Sequence, residues 1–308
     1  MRRPLMWSLL ALLAACGARI SDGASDVAGG DGDIDAGGGT VTDASGNPTP
    51  VPDAALGPFS NAVAIPQAAT AAGEDDPALT SDALEMVFAI DTGAKGKDLY
   101  YTSRTSTTSA WATPSLLTIS DANKSDESPR FSPDDKTLYF ASGRGNTNGN
   151  LDIYMTTRSA VGSKAFTTPT KLGVSTAASE KWYMPCGTSY LMVQDNGAGA
   201  THFVGGLLGQ PATPIAELTA ATGSETGTFL TADCLTIYFA STRATPTMIY
   251  TSHRTSVTAA WATPTAVTDL PIAAGNGNEE DPWMSPDGRT FVFVSDISGS
   301  KDVYITTR

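Results

Sequence analysis

Basic residues, histidines, cysteines and long apolar runs are all scarce in this 308-residue chain, and each scarcity removes a class of function. Nineteen Lys and Arg stand against 32 Asp and Glu, a formal charge of −13. Nucleic-acid binding depends on clustered cations that displace phosphate counterions, so no nucleic-acid partner is expected. The two histidines, His202 and His253, open one strand-like segment and end another. No Gly-x-Ser-x-Gly elbow, HExxH pair or Gly-rich phosphate loop accompanies them, and no catalytic residue is assigned. The expectation is a protein that binds rather than one that catalyses. The apolar run at residues 5–15 spans 11 positions, where a helix crossing a bilayer needs about 20.

That run follows Arg2 and Arg3 and ends in Leu13-Ala14-Ala15-Cys16-Gly17. The pattern resembles a bacterial lipoprotein signal peptide (residues 1–15), which makes Cys16 the lipidated residue; an ordinary secretory signal is the alternative. Either way the mature chain leaves the cytoplasm, touching membrane only through its anchor. An Asp after the cysteine marks inner-membrane retention in enteric lipoproteins. Gly17 stands there instead, which points to the outer membrane, facing the periplasm or the surface. Residues 16–56 are rich in Gly, Ala, Ser and Asp and lack aromatics, so they read as a disordered acidic tether. Within it Asp31-Gly32-Asp33-Ile34-Asp35 imitates the start of a calcium loop, but Thr42 holds the place of the bidentate Glu such a loop requires.

From residue 57 to 308 one phrase recurs five times: acidic residues, a short strand, a tight turn, a second strand ending in an aromatic, and a third strand built on an aromatic. The second-strand endings Phe88, Phe140, Val193, Phe239 and Phe293 are 52, 53, 46 and 54 residues apart, a blade-length period. A fourth strand follows Ala110-Trp111-Ala112-Thr113-Pro114 and its counterparts, including Ala260-Trp261-Ala262-Thr263-Pro264. Four antiparallel strands per unit predict an all-β, five-bladed β-propeller. The fifth unit stops after its third strand. Residues 59–65 resemble the outer-strand phrase, with Phe59 in the place of Trp261, and are expected to close the ring, because an open ring would expose a strand edge.

The turns Ser132-Pro133-Asp134-Asp135 and Ser285-Pro286-Asp287-Gly288 resemble the WD40-like repeats of TolB-type propellers, the PD40 repeat. Thr80-Ser81-Asp82-Ala83 is a weaker copy. Pro185-Cys186-Gly187-Thr188 and Thr231-Ala232-Asp233-Cys234 depart from it. The resemblance implies the fold and a broad envelope role, not TolB's own partners.

The candidate binding residues are the acids that begin each first strand: Glu74, Asp75 and Asp76; Asp126 and Glu127; Glu180; Glu225; Glu279, Glu280 and Asp281. In a propeller these converge at one mouth of the central channel. The loops at residues 91–98, 142–152, 195–201, 241–247 and 295–301 open on the same face. Such a mouth suits a cation such as calcium, or a basic peptide segment of an envelope protein, since focused negative potential attracts positive charge. The alternative is that the acids cap strand ends or pair with Arg144, Arg243 and Lys301. No other cofactor is evident, and no residue set is assigned to a metal. A glycan-binding or glycan-hydrolysing propeller using channel carboxylates is the competing function. Trp111 and Trp261 are expected to pack blades rather than stack on sugars. Cys186 and Cys234 fall in neighbouring turns on the opposite face, either bridged in an oxidising compartment or as two separate buried thiols.

Overall fold

The computed structural model of the chain describes residues 56–308 apart from Ala94, Asp269 and residues 271–276. The leader, Cys16, the tether before residue 56 and the calcium-like loop at 31–42 lie outside the described residues. Five four-stranded antiparallel sheets form the blades of a propeller. Blade one is β2 (Glu74–Leu79), β3 (Glu85–Asp91), β4 (Lys97–Ser103) and β5 (Ser115–Leu116), following a short β1 (Val63–Ala64). Blade two is β6 (Asp126–Phe131), β7 (Thr137–Ser142), β8 (Asp152–Thr157) and β9 (Thr170–Lys171). Blade three is β10 (Glu180–Cys186), β11 (Ser189–Asp195), β12 (Thr201–Leu207) and β13 (Thr213–Pro214). Blade four is β14 (Glu225–Leu230), β15 (Thr236–Ser241), β16 (Met248–His253) and β17 (Thr265–Ala266). Blade five joins β18 (Glu279–Met284), β19 (Thr290–Ser295) and β20 (Asp302–Thr307) to β1, which pairs antiparallel with β20.

The recurring aromatics are cross-strand partners. Phe88 opposes Tyr100, Phe140 opposes Tyr154, Phe239 opposes Tyr250 and Phe293 opposes Tyr304, with ring centroids 5.8–6.4 Å apart. All four phenylalanines are buried between blades. Pairs of this kind add to the area they bury, which is why the phrase keeps an aromatic at both places.

The first turns of four blades follow a rule that their most visible letters conceal. Ser132 and Ser285 donate their hydroxyls to Asp134 and Asp287 and accept the amides of Thr137 and Thr290. Thr80 and Thr231 make the same two bonds, to Asp82 and Asp233 and from Glu85 and Thr236. The next residue is left-handed in all four turns: Ala83, Asp135, Cys234 and Gly288 have φ of 56 to 68°. Blade four is therefore not a departure, since hydroxyl-x-Asp defines the turn and proline does not. Blade three alone is shortened, turning on Gly187.

A second device locks the third strand of four blades. Arg104, Arg158, Arg254 and Arg308 donate through Nε to the carbonyls of Ala83, Asp135, Cys234 and Gly288. Each guanidinium also lies over the aromatic of its own outer-strand phrase: Trp111 at 4.4 Å, Phe166 at 5.5 Å, Trp261 at 4.4 Å and Phe59 at 4.2 Å. Trp111 and Trp261 are thus buried against their blades. Phe59 completes blade five by the same cation–π contact and packs on Phe291. Truncating it should open the ring. Phe59→Ala is expected to cost about 3–5 kcal/mol in equilibrium urea unfolding. Val63→Ala, at a 59% exposed position of the same closing segment, should change stability by under about 0.5 kcal/mol.

Candidate functional site

Each innermost strand carries a bulge near its start. The third residue of each, Asp76, Ser128, Trp182, Gly227 and Asp281, has φ between 43 and 56°, and the pairing register slips there in all five blades. A proline follows Asp76, Ser128 and Asp281. Proline lacks the amide a ladder needs and is tolerated in strands at bulges and edges. The five bulged residues meet near the propeller axis. Trp182 Nε1 donates to Asp76 Oδ1 at 2.7 Å, the Ser128 amide to Asp76 Oδ2 at 3.2 Å, and the Asp76 amide to Asp281 Oδ2 at 3.4 Å. A Cβ on Gly227 would lie 2.3 Å from Asp281 Oδ1, so glycine is required there by space as well as by φ.

The expected site acids separate into two tiers. Four of those at the first position of a strand, Glu74, Asp126, Glu180 and Glu225, are fully buried and hold the loop that enters their blade. Glu74 accepts from the amide and hydroxyl of Thr70, and Glu180 from those of Thr176. Asp126 accepts both from the Asp121 amide and from Arg144 at 2.8 Å, and Glu225 from Arg243 at 3.0 Å. Burial raises the Asp126 and Glu180 carboxyls, an effect their hydrogen bonds offset only in part. Glu279, the fifth first-position acid, is half-buried, and its carboxyl is pushed up to about 7 by that burial. Arg144 and Arg243 also lie over Phe140 and Phe239 at 5.1 and 5.3 Å, so these pairs are built into the blade.

The second tier lies at the mouth and is interleaved with lysine. Glu280, Lys301, Asp75, Lys97, Glu127 and Lys181 form an unbroken alternating chain with contacts of 2.5, 3.2, 2.5, 3.5 and 3.1 Å. Lys97 also reaches Asp76 at 3.4 Å. Three lysines thus sit among acids that, counted alone, form a negative ring. Sequence reading placed Lys301 here and missed Lys97 and Lys181, whose charges had no partner visible in the chain.

Beneath this chain Asp75, Asp76 and Asp281 bring carboxylate oxygens within 4.8 Å of one another. Three buried carboxylates this close cannot all ionise. Burial, then Asp76 and Asp75, hold the Asp281 carboxyl well above its ordinary range. Burial also works against Asp75, but a hydrogen bond from Asp281 together with Lys97 and Lys301 keeps it ionised and lowered. Among the described residues this trio is the group of acids that could hold a hard cation, and Ser128, whose amide bonds Asp76, has a buried hydroxyl with no partner. In the chain as it stands Lys97 and Lys301 contact Asp75, Lys97 also reaches Asp76, and the Arg130 guanidinium lies near all three carboxylates.

Arg130 comes from the fifth position of β6 and crosses the axis. Its Nε donates to Thr228 O of blade four at 2.6 Å, and Nη1 to Pro77 O of blade one at 3.4 Å and Pro129 O at 2.7 Å. The side chain fills the neck between the acid tier and the opposite face. On that face the channel widens into a cavity of about 780 Å³. Its inner wall is the ring of fifth-position residues, Ala78, Arg130, Met184, Phe229 and Trp283, and its rim is the first turns of the blades. Phe229 and Trp283 lie against each other with centroids 6.0 Å apart. Cys186 and Cys234 are disulfide-bonded, Cα to Cα 5.9 Å, and link the turns of blades three and four beside this rim. The concave, apolar part of the axis is therefore at the turn face and not at the acidic mouth.

No family model and no curated protein matches the chain. Among solved structures it is similar to the catalytic domain of a GH62 α-L-arabinofuranosidase from Coprinopsis cinerea, with TM-score 0.54 and 9% identity over 82% of this chain and 97% of that one. It is similar to an endo-arabinase from Bacteroides thetaiotaomicron, with TM-score 0.53 and 12% identity over 77% and 95%. It is also similar to a TolB from Agrobacterium tumefaciens, with TM-score 0.49 and 16% identity over 76% of each chain. At these identities the likeness is one of fold: a five-bladed β-propeller with TolB among its structural neighbours.

The carboxyl trio makes stability depend on pH in a defined direction. Asp281 is raised in the folded chain and Asp135 is pushed up to about 6 by burial. With Glu279, these groups keep protons in the folded state that the unfolded chain releases, so stability falls as pH rises from about 4 through 7. Asp281→Asn removes one such proton and should flatten the fall. Urea unfolding of both proteins at pH 5 and pH 8 checks this, and an unchanged slope would mean that Asp281 is ionised.

Proposed function

We propose that the chain is a lipid-anchored, non-enzymatic binding module of the cell envelope, and that its propeller recognises a protein partner at the turn-face cavity. The supporting observation is the division of the axis by Arg130. The carboxylates lie on one side of it, engaged by lysines, Trp182 and backbone amides. The concave apolar surface lies on the other. A volume of about 780 Å³ is within the range of ligand-binding pockets, and a mostly apolar wall with a few polar groups is the usual composition. The leader sequence supports the anchor and the outer-membrane address. Among the described residues no helix is long and apolar enough to cross a membrane.

A carbohydrate ligand is the second reading, favoured by Phe229 and Trp283 in the cavity wall and by structural neighbours that act on arabinose-containing glycans. Hydrolysis by the channel acids is less well supported. Asp75 is held between two lysines, Asp76 by Trp182 and Ser128, and Arg130 stands between all of them and the cavity.

Capture from the envelope fraction by the full chain separates the faces and the ligands. Ala232→Trp places bulk at the cavity rim, where Ala232 is exposed. Glu127→Gln with Glu280→Gln alters the acidic mouth. The expected outcome is that a captured protein is lost with Ala232→Trp and kept with the double variant. Loss with the double variant alone would move the site to the acidic mouth. Retention of arabinan oligosaccharides, with no protein captured, would establish the carbohydrate reading.

A further inference from the structure

Resting on the binding-module reading, we infer that the turn-face cavity is built to take the free C-terminal carboxylate of a partner polypeptide whose last side chain is apolar. Three observations carry this.

The first is Arg130. It lines the cavity, is 4% exposed, and has Nε and Nη1 committed to the carbonyls of Thr228, Pro77 and Pro129. Its Nη2 is buried with no acceptor. A buried charged donor left unmade is costly, and the group that best recovers the cost is an anionic oxygen, since charge-assisted bonds are about twice as strong as neutral ones. Asp281, Asp76 and Asp75 face the guanidinium from the acid side. Burial pulls the Arg130 guanidinium below its ordinary range, against the raising effect of those three carboxylates.

The second is the wall. Met184, Phe229 and Trp283 surround Arg130 with apolar surface. An apolar side chain attached next to the carboxylate would lie against this surface while the charge reaches the floor.

The third is the rim, which favours a polypeptide over an alkyl chain. Ser132, Thr231 and Ser285 line the cavity and give their hydroxyl protons to Asp134, Asp233 and Asp287. Each oxygen also accepts one backbone amide of its own turn, from Thr137, Thr236 and Thr290, and keeps one further lone pair, which suits an amide N–H of an entering backbone. A fatty acid has no donors to present there.

The test uses the full chain and three probes: acetyl-Ala-Ala-Phe with a free carboxylate, the same peptide as its C-terminal amide, and laurate. Binding is read by tryptophan fluorescence, Trp283 being in the cavity wall, and by calorimetry. The free acid should bind about tenfold or more tightly than the amide. Arg130→Gln should bring acid and amide together, with folding checked by circular dichroism. Ala232→Trp, which leaves Arg130 untouched, should weaken both. If acid and amide bind equally and Ala232→Trp weakens both, the carboxylate assignment is overturned while the cavity remains a binding site. If laurate matches the free acid and competes with it, the polypeptide assignment is overturned. If no probe binds, the inference fails, and capture of an envelope protein that Ala232→Trp abolishes would still show the broader reading to stand.

Discussion

The ring depends on a buried knot of polar and charged groups at its axis, where Asp76 accepts from Trp182 of blade three and from the amide of Ser128 in blade two. Arg130 spans from blade two to carbonyls of blades four and one, and Asp281 of blade five touches the Asp76 amide. All five blades thus contribute to one cluster, with blade four adding the glycine that makes room for Asp281. Buried ion clusters are weak evidence for stability by themselves, because desolvation consumes most of the Coulomb gain. Their value here is geometric. Polar groups with no access to water must find each other, and only one arrangement of five blades brings Asp76, Trp182, Arg130 and Asp281 together.

Around this asymmetric centre the periphery is repetitive. Four arginines on third strands bind the left-handed residue of their own first turn and cover the aromatic of their own outer strand. Blade three lacks the arginine, the long turn and the aromatic pair of its neighbours. It carries instead Trp182, which reaches the axis, and Cys186, which is bonded to blade four. The blade least supported by the common devices is thus the one fastened by special ones.

The fold was legible because its rules are local and repeated. Phe88, Phe140, Phe239 and Phe293 recur at blade length, and Phe59 stands in a recognisable outer-strand phrase. The pairing of Asp126 with Arg144, Glu225 with Arg243 and Glu280 with Lys301 was also within reach, since each joins a first strand to a nearby loop. The centre was much less legible. Arg130 sits one residue after Pro129 in a strand of otherwise ordinary composition, and its partners are 53 and 98 positions away in sequence. Lys97 and Lys181 are single charges in strands whose acids seemed unopposed. The proline after Asp76, Ser128 and Asp281 was a usable signal: a proline within an inner strand implies a bulge, and a bulge turns side chains toward the axis.

These central residues make the two ends of the propeller chemically different. An open channel rimmed with acids would draw cations from either side, and the acidic composition would then be its function. Arg130 prevents that by filling the neck, and the alternating chain from Glu280 to Lys181 spends most of the remaining charge within the molecule. Much of the negative surplus in the propeller therefore serves the structure, in loop anchors such as Glu74 and turn anchors such as Asp134. The turn face differs in kind. Its cavity wall is apolar, its rim is set by the hydroxyl-x-Asp turns of four blades, and a disulfide fixes the spacing of blades three and four beside it. The turns thus surround an apolar hollow lined by Met184, Phe229 and Trp283, with Arg130 the charged side chain of its inner wall.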